Sequence, residues 1–92
     1  KKGSFFINTS RGGTIEEKAL FNALESGHLS GAGIDVLNEE PMSKDCVLFK
    51  APNIIITPHT AWAPVTTRKR LIDTVYSNLD GFIKGDIKNC VN

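Results

Sequence analysis

The sequence predicts an α/β fold in which short parallel strands alternate with helices. Three short strand-like runs recur along the chain, at Ser4–Asn8, Gly31–Val36 and Asn53–Thr57. Segments with apolar residues at helical spacing follow the first and third runs, at Glu16–Ser26 and from Pro64 or Val65 to Lys84. The resulting order of strand, helix, strand, loop, strand and helix is typical of a parallel sheet with helical connections.

Local signals set the expected ends of these elements. The stretch Thr14-Ile15-Glu16-Glu17 fits a capping box, in which the threonine hydroxyl accepts from first-turn amides and the last glutamate reaches back. Gly27 can take the positive φ that commonly ends a helix. The segment 37–52 is expected to be a loop, with Leu48 and Phe49 turning back onto the core.

Composition narrows the class of protein. The 92 residues suffice for one small domain, and the net charge of +1 comes from interspersed charges without the basic stripe of a nucleic-acid-binding protein. No apolar run is long enough for a membrane span. Cys46 and Cys90 are isolated thiols, which favours a reducing, cytoplasmic setting and argues against a metal site. Because the chain starts Lys-Lys-Gly, without methionine, we expect a piece of a longer protein.

Each predicted strand is followed by chemically active side chains. Arg11 lies in the turn after the first strand, Asp35 lies at the end of the second, and His59 follows the third. In an open parallel sheet, ligands bind outside the carboxyl ends of the strands. An arginine can hold a carboxylate through a two-pronged hydrogen bond, and a histidine can transfer a proton to or from an oxygen. A carboxylate from Glu39 or Glu40 would stabilise the imidazolium.

Each of these residues also has an ordinary structural interpretation. His59 and Asp35 can simply cap strand ends, and Arg11 can belong to a solvated loop. Spacing does not distinguish Glu39 from Glu40. Trp62 can be plain packing, or its indole can wall off a small ligand. Taken alone, the spacing indicates a site at one edge of the sheet without naming a substrate.

A resemblance to a known family adds to this interpretation. The stretch "INTSRGGTIEEKALFNALESGHLSGAGIDVLNEEP", followed by "PNIIITPHTAWA", resembles the C-terminal half of the nucleotide-binding domain of NAD-dependent D-2-hydroxyacid dehydrogenases. The three motifs stand in the family's order and approximate spacing, and the match covers 3–92. The form "HTAWA" is most similar to the glycerate dehydrogenase (hydroxypyruvate reductase) branch. The implied fold is the second half of a Rossmann-type, doubly wound parallel sheet, with about three strands.

The resemblance implies a role for each matching position. Arg11 matches the arginine that binds the substrate carboxylate and carbonyl, and His59 matches the acid/base that protonates the 2-keto oxygen. Glu40, rather than Glu39, matches the glutamate that pairs with this histidine. Asp35 matches the aspartate that contacts the nicotinamide carboxamide. The remaining positions implied to line the nicotinamide pocket, besides Arg11 and His59 themselves, are Thr9, Ser10, Ala61 and Trp62.

Parts of the family's architecture are not matched by this sequence. It lacks the Gly-x-Gly-x-x-Gly loop and the acidic ribose-binding residue that follows it, so we expect 1–92 to be a partial domain. The N-terminal half and the substrate domain would lie elsewhere, and the chain alone would be inactive. The resemblance implies NAD or NADP as cofactor, a small 2-keto or 2-hydroxy acid as substrate, and a homodimeric whole protein. An NAD(H)-binding corepressor on the same scaffold is the alternative.

Overall fold

The computed structural model describes residues 1–91 and divides the chain into two compact units, Lys1–Ala61 and the part from Trp62 onward. The elements are β1 (Ser4–Asn8), α1 (Glu17–Glu25), β2 (Leu29–Ile34), β3 (Ile54–Ile56) and α2 (Val65–Lys84), with short 3-10 turns at Gly12–Thr14 and Val47–Lys50. Within the described residues, no helix combines the length and apolar character needed to cross a membrane.

The first unit contains a three-stranded parallel sheet in the order β1-β2-β3. Phe6 pairs with Ala32 on β2, and Ala32 pairs with Ile54 on β3. All carboxyl ends therefore point to the same edge of the sheet. The predicted α/β class with parallel strands is confirmed.

The core lies between α1, one face of the sheet and the 3-10 turn after β2. Its buried side chains are Leu20 and Leu24 from α1, Ala32 and Ile34 from β2, and Leu48. Leu48 is completely buried, as its predicted return to the core requires. Its neighbour in the same turn, Phe49, is 64% exposed, so the expectation that both residues turn inward was wrong for the phenylalanine. A 3-10 turn directs successive side chains in different directions, and only one of the two can face the core.

The first strand is observed at Ser4–Asn8, as predicted, whereas the boundaries of the second and third differ from the predicted ones by one to two residues. The second strand was expected at Gly31–Val36 and is observed at Leu29–Ile34. The third was expected at Asn53–Thr57, and β3 is shorter by one residue at each end. The backbone pairing runs from Leu29 to Ile34 on β2 and from Ile54 to Ile56 on β3, so Asp35 and Thr57 come after the strands.

The predicted capping box is wrong. The N-cap of α1 is Glu16, which makes no side-chain cap bond. The Thr14 hydroxyl instead donates to the Arg11 carbonyl oxygen at 2.6 Å. The Glu17 carboxylate accepts from the Asn38 amide at 2.9 Å, in the loop after β2. Contacts outside α1, one with the preceding turn and one with the loop after β2, therefore take both groups that the local pattern assigned to the cap. The predicted positive φ after the helix is confirmed at Gly27, with φ 67°.

The second unit consists of α2 and the residues around it. The helix ends with Gly85 at φ 76°, and the Asp86 amide donates to the Gly81 carbonyl at 2.8 Å, which closes the last turn. The apolar residues at helical spacing are each more than half exposed within the described residues: Leu71, Ile72, Val75, Leu79, Phe82 and Ile83. The tail from Asn89, expected to begin another element, is irregular to Val91, and Asn92 lies outside the described residues.

The loops after β1 and β2 touch at Gly12. This glycine is buried, and a β-carbon built on it would lie 2.0 Å from the carbonyl carbon and oxygen of Leu37. Such a distance is far inside van der Waals contact with backbone that cannot rotate away. Only glycine lets the two loops approach this closely, and these loops carry Arg11 and Glu40.

We expect Gly12→Ala to lower the free energy of unfolding by about 1–3 kcal/mol, because Leu37 must shift to admit the methyl group. Gly13→Ala is the matched control, since a β-carbon there meets nothing within 4 Å. It should stay within about 0.5 kcal/mol of the parent. Urea unfolding of both variants checks this, and equal effects at the two positions would contradict the close-approach argument.

Candidate functional site

The site lies at the carboxyl edge of the sheet in the first unit. Because the three strands are parallel and adjacent, the segments that leave β1, β2 and β3 meet at this edge. They carry Arg11, Glu40 and His59 respectively, and Asp35 stands at the end of β2.

Glu40 and His59 form a direct pair. The Glu40 Oε2 lies 2.7 Å from the His59 Nδ1, and the two side chains are 37% and 39% exposed. The other carboxylate oxygen, Oε1, accepts from the Leu37 amide at 2.9 Å. A carboxylate held at both oxygens fixes the ring orientation of its histidine partner, and charged hydrogen bonds of this length are the strong ones.

Asp35 is buried, with only 4% of its surface exposed, and its carboxylate binds the turn after β3. Its Oδ1 accepts from the Thr57 hydroxyl and from the Thr60 amide, the latter at 2.9 Å. Its Oδ2 accepts from the Ala61 amide at 2.8 Å. Two backbone amides and one hydroxyl therefore compensate the cost of burying this charge.

The turn that carries Arg11 is organised by Asn8. The Asn8 side chain is buried, and its amide nitrogen donates to the Arg11 carbonyl at 3.1 Å and to the Thr14 hydroxyl at 3.2 Å. Its oxygen accepts from the Ser10 amide and hydroxyl at 3.1 and 2.9 Å. The guanidinium of Arg11 is exposed and donates to the Ser10 carbonyl at 2.7 Å. The guanidinium therefore stands in the exposed loop, where it is accessible to a ligand carboxylate.

Two hollows flank Asp35 and Thr57. A cleft of about 400 Å³ has apolar walls, including Leu37, Met42 and Ile56, with the Glu40–His59 pair at its lining. On the other side, a hollow of about 230 Å³ is lined by Thr9 and by apolar residues of the sheet. An apolar cleft of this kind, with a few polar groups, is typical of a small-molecule site.

The remaining predicted site residues fall in different places. Ser10 belongs to the Asn8 turn, and Ala61 supplies a backbone amide to Asp35. Trp62 belongs to the second unit and is 59% exposed. No group of three histidine, cysteine or carboxylate side chains within residues 1–91 is placed to hold a metal ion.

Sequence reasoning missed the residues that hold this site together. The Leu37 amide, which binds Glu40, leaves no sequence signal. Thr57 and Thr60 stand 22 and 25 positions from the carboxylate that they bind, so no local pattern reveals the link. Asn8 had a usable signal, because asparagine at a strand end commonly bonds the backbone two residues on.

The pKa values of both carboxyl groups lie below their ordinary values. For Asp35 the Thr57 hydroxyl is the largest cause, and the Ala61 and Thr60 amides add to it, so the pKa lies below 3.8 although burial acts against this. For Glu40 the Leu37 amide comes first and the His59 ring second, and the pKa lies below 4.5. Both carboxylates therefore stabilise the fold above these ordinary values, and the contribution is lost as the pH falls through the lowered ones.

We expect Asp35→Asn to lower the unfolding temperature at about pH 7 and to make its decline below about pH 4 shallower, because one titrating carboxylate is gone. Circular dichroism melts over this pH range check it. Asp45→Asn is the control, since the Asp45 side chain is exposed. An acid limb unchanged by Asp35→Asn would contradict the assigned stabilisation of the Asp35 carboxylate.

Comparison with known proteins places the chain in a family. The family model described as "D-isomer specific 2-hydroxyacid dehydrogenase, NAD binding domain" matches residues 1–61. A hydroxypyruvate reductase of Blautia hydrogenotrophica is 48% identical over the whole chain, which corresponds to 29% of that protein. A glycerate dehydrogenase of Methylorubrum extorquens is 41% identical over 99% of the chain and 30% of its own length.

A solved structure agrees with these relatives. The D-isomer specific 2-hydroxyacid dehydrogenase of Xanthobacter autotrophicus Py2, crystallised with NADPH and MES, is 32% identical with a TM-score of 0.71. The alignment covers 99% of this chain and 37% of that one. The chain thus spans less than a third of the length of the two curated relatives. On the family match and these likenesses, the chain belongs to the NAD-binding-domain family of the D-isomer specific 2-hydroxyacid dehydrogenases.

Proposed function

We propose that the chain is the C-terminal half of the NAD-binding domain of a longer D-2-hydroxyacid dehydrogenase. Its substrate would be a small 2-keto acid of the hydroxypyruvate or glyoxylate kind. The observation that carries this proposal is the 2.7 Å contact of Glu40 with the His59 Nδ1 at the carboxyl edge of the sheet. The 48% identity to a protein named hydroxypyruvate reductase supports the substrate class.

In this proposal His59 is the acid/base. Reduction of a 2-keto acid adds a hydride to the carbonyl carbon and a proton to the carbonyl oxygen, and a 2-hydroxy acid results. With Nδ1 paired to Glu40, Nε2 is the nitrogen that would deliver the proton. Glu40 orients the ring and stabilises the imidazolium before transfer. In the reverse direction the same nitrogen accepts the proton.

Arg11 would hold the substrate carboxylate. Its guanidinium is exposed on the turn after β1, and a planar fork of N–H donors matches a carboxylate in two-pronged geometry. Asn8 fixes the backbone on both sides of Arg11 through its four side-chain bonds. A substrate held in this way at one end would present its keto group at a defined position, which lowers the entropic cost of reaching the reactive geometry.

The residues beside Asp35 fit the nicotinamide end of a cofactor. A hydrogen-bond acceptor, the Asp35 carboxylate, lines the hollow together with Thr9, and Gly33 leaves the sheet surface open beside them. NAD or NADP would supply the hydride when bound. Either cofactor is compatible with these residues, because the discriminating ribose-binding residue is not in this sequence. Ser10, Ala61 and Trp62 complete the proposed set of cofactor-lining positions.

Four further expectations from the sequence concern the alternative function, the whole protein and the isolated chain. The relatives compared above are named as dehydrogenases or reductases, and none of these names supports the corepressor alternative. The homodimer, the cytoplasmic location and the inactivity of the isolated chain remain predictions.

The first test is His59→Gln in the longer protein. We expect kcat for hydroxypyruvate reduction to fall by at least about 100-fold, because His59 is the proposed proton donor and glutamine cannot supply the proton. His28→Gln is the matched control, since this other histidine is exposed and lies at the opposite end of β2. Steady-state assays with NADH and NADPH measure both variants. A His59→Gln enzyme with parental kcat would refute the assigned role.

The second test compares two adjacent glutamates. Glu40→Gln removes the charge facing the His59 ring and should lower kcat by at least about tenfold, as the imidazolium loses its partner. Glu39→Gln leaves the pair intact and should stay within about twofold of the parent. The same assay serves both variants, and similar losses at the two positions would argue against a specific Glu40–His59 pair.

A further inference from the structure

We propose that Asp35 is a positioning residue, which holds the turn of His59 in its left-handed backbone conformation. The inference rests on the proposed role of His59 and adds a function for Asp35 besides contact with a cofactor. In this role, Asp35 at the end of the central strand determines the position of His59, the proposed acid/base.

The first observation is the backbone of His59 itself. Its φ is 55°, in the left-handed region that residues with a side chain rarely adopt. Strain of this kind persists only where surrounding contacts enforce it, and it is concentrated at functional positions. The His59 amide donates to the Thr57 carbonyl at 3.0 Å, which closes a tight turn over a single intervening residue.

The second observation is that Asp35 binds this turn on both sides of His59. Before the histidine, the Thr57 hydroxyl donates to Oδ1. After it, the amides of Thr60 and Ala61 donate at 2.9 and 2.8 Å. A straightened turn would carry these two amides away from the carboxylate. The three bonds therefore select the left-handed conformation.

The third observation is that Asp35 is itself firmly held. It is 4% exposed, and its amide donates to the Asn8 carbonyl on β1 at 2.9 Å. Thr57 in turn donates its amide to the Ile34 carbonyl at 3.0 Å. The carboxylate thus stands on the central strand of the sheet, and a rigid strand is a better support for an acid/base than a loop.

The number of hydrogen bonds that Asp35 makes to the turn distinguishes a positioning role from contact with a cofactor. A carboxylate has about four acceptor positions, and three of those on Asp35 are used on the turn. Within the part of the chain that the structure describes, one position, on Oδ2, is left for a carboxamide N–H. Asp35 can therefore bind both the turn and a cofactor carboxamide, but most of its hydrogen bonds are made to the segment that carries His59.

The test begins with the 92-residue chain and needs no activity. In Asp35→Asn, one acceptor oxygen becomes an N–H2 group, and we expect amide hydrogen exchange at Thr60 and Ala61 to accelerate by at least about tenfold. The three-bond coupling between the His59 amide and α-protons should move away from its left-handed value. Exchange at Ile34 in β2 reports global unfolding. Unchanged exchange at both turn amides and an unchanged coupling would overturn the proposal.

A milder variant covers the case in which Asp35→Asn does not fold. Thr57→Val removes only the hydroxyl donor, so it should produce the same changes at Thr60 and Ala61 to a smaller extent, about threefold in exchange. Asp45→Asn, on an exposed side chain of the same unit, should leave these amides as in the parent. Equal exchange in Thr57→Val and in the parent would count against the proposal.

Kinetics of the longer protein give a second readout. A positioning role predicts that Asp35→Asn lowers kcat by about tenfold or more while the KM for NADH or NADPH changes less than about threefold. A rise confined to the cofactor KM would assign Asp35 to cofactor binding alone and overturn the positioning role. Because the exchange experiment does not depend on turnover, failure of the proposed function is distinguishable from failure of this inference.

Discussion

The candidate site depends on one buried carboxylate, that of Asp35. It joins the end of the central strand to the turn that follows β3, through one hydroxyl and two backbone amides. A buried charge is tolerated only when hydrogen bonds replace its lost hydration, and the replacing donors found among residues 1–91 come from the segment that carries His59. The requirement to satisfy this charge therefore also determines where the imidazole lies.

The other two segments at the edge are fixed by different means. Asn8 shapes the turn after β1 by using both ends of its amide on Ser10, Arg11 and Thr14. The loop after β2 lies directly on Gly12, where a missing side chain lets Leu37 approach. Leu37 then donates its amide to Glu40. The Asn8 side chain and the close backbone approach at Gly12 thus hold these two segments in place. The charged side chains of Arg11 and Glu40 project from them.

The Glu40–His59 pair is half exposed, so solvent screens its charges and it adds little to the stability of the fold. What the short contact provides is orientation. With one ring nitrogen committed to the carboxylate, the tautomer and the direction of the ring are set. The pair contributes little to stability, but it determines which ring nitrogen carries the proton and where that nitrogen points. Proton transfer requires both.

The sequence was informative where local physics decides the outcome. The alternation of strands and helices predicted the parallel sheet, and the helical spacing of apolar residues with Gly85 behind them placed α2 at Val65–Lys84. The capping box at Thr14 failed because the threonine hydroxyl accepts from the Asn8 side-chain amide and donates to the Arg11 carbonyl. The spacing brought Arg11, Asp35 and His59 to one edge, yet left Glu39 and Glu40 undecided. The hydrogen-bond partners of Asp35 could not be predicted from the sequence, because they are far along the chain and become neighbours only when the sheet forms.

The most direct measurement is a crystal structure of the longer protein with NADP⁺ and oxalate, a non-reducible mimic of a 2-keto acid. We expect an oxalate oxygen within about 2.6–3.2 Å of the His59 Nε2, with a carboxylate of the same molecule bound to the Arg11 guanidinium. The bonds from Asp35 to Thr60 and Ala61 should persist. Oxalate bound away from both side chains, or a His59 ring parted from Glu40 in the complex, would contradict it.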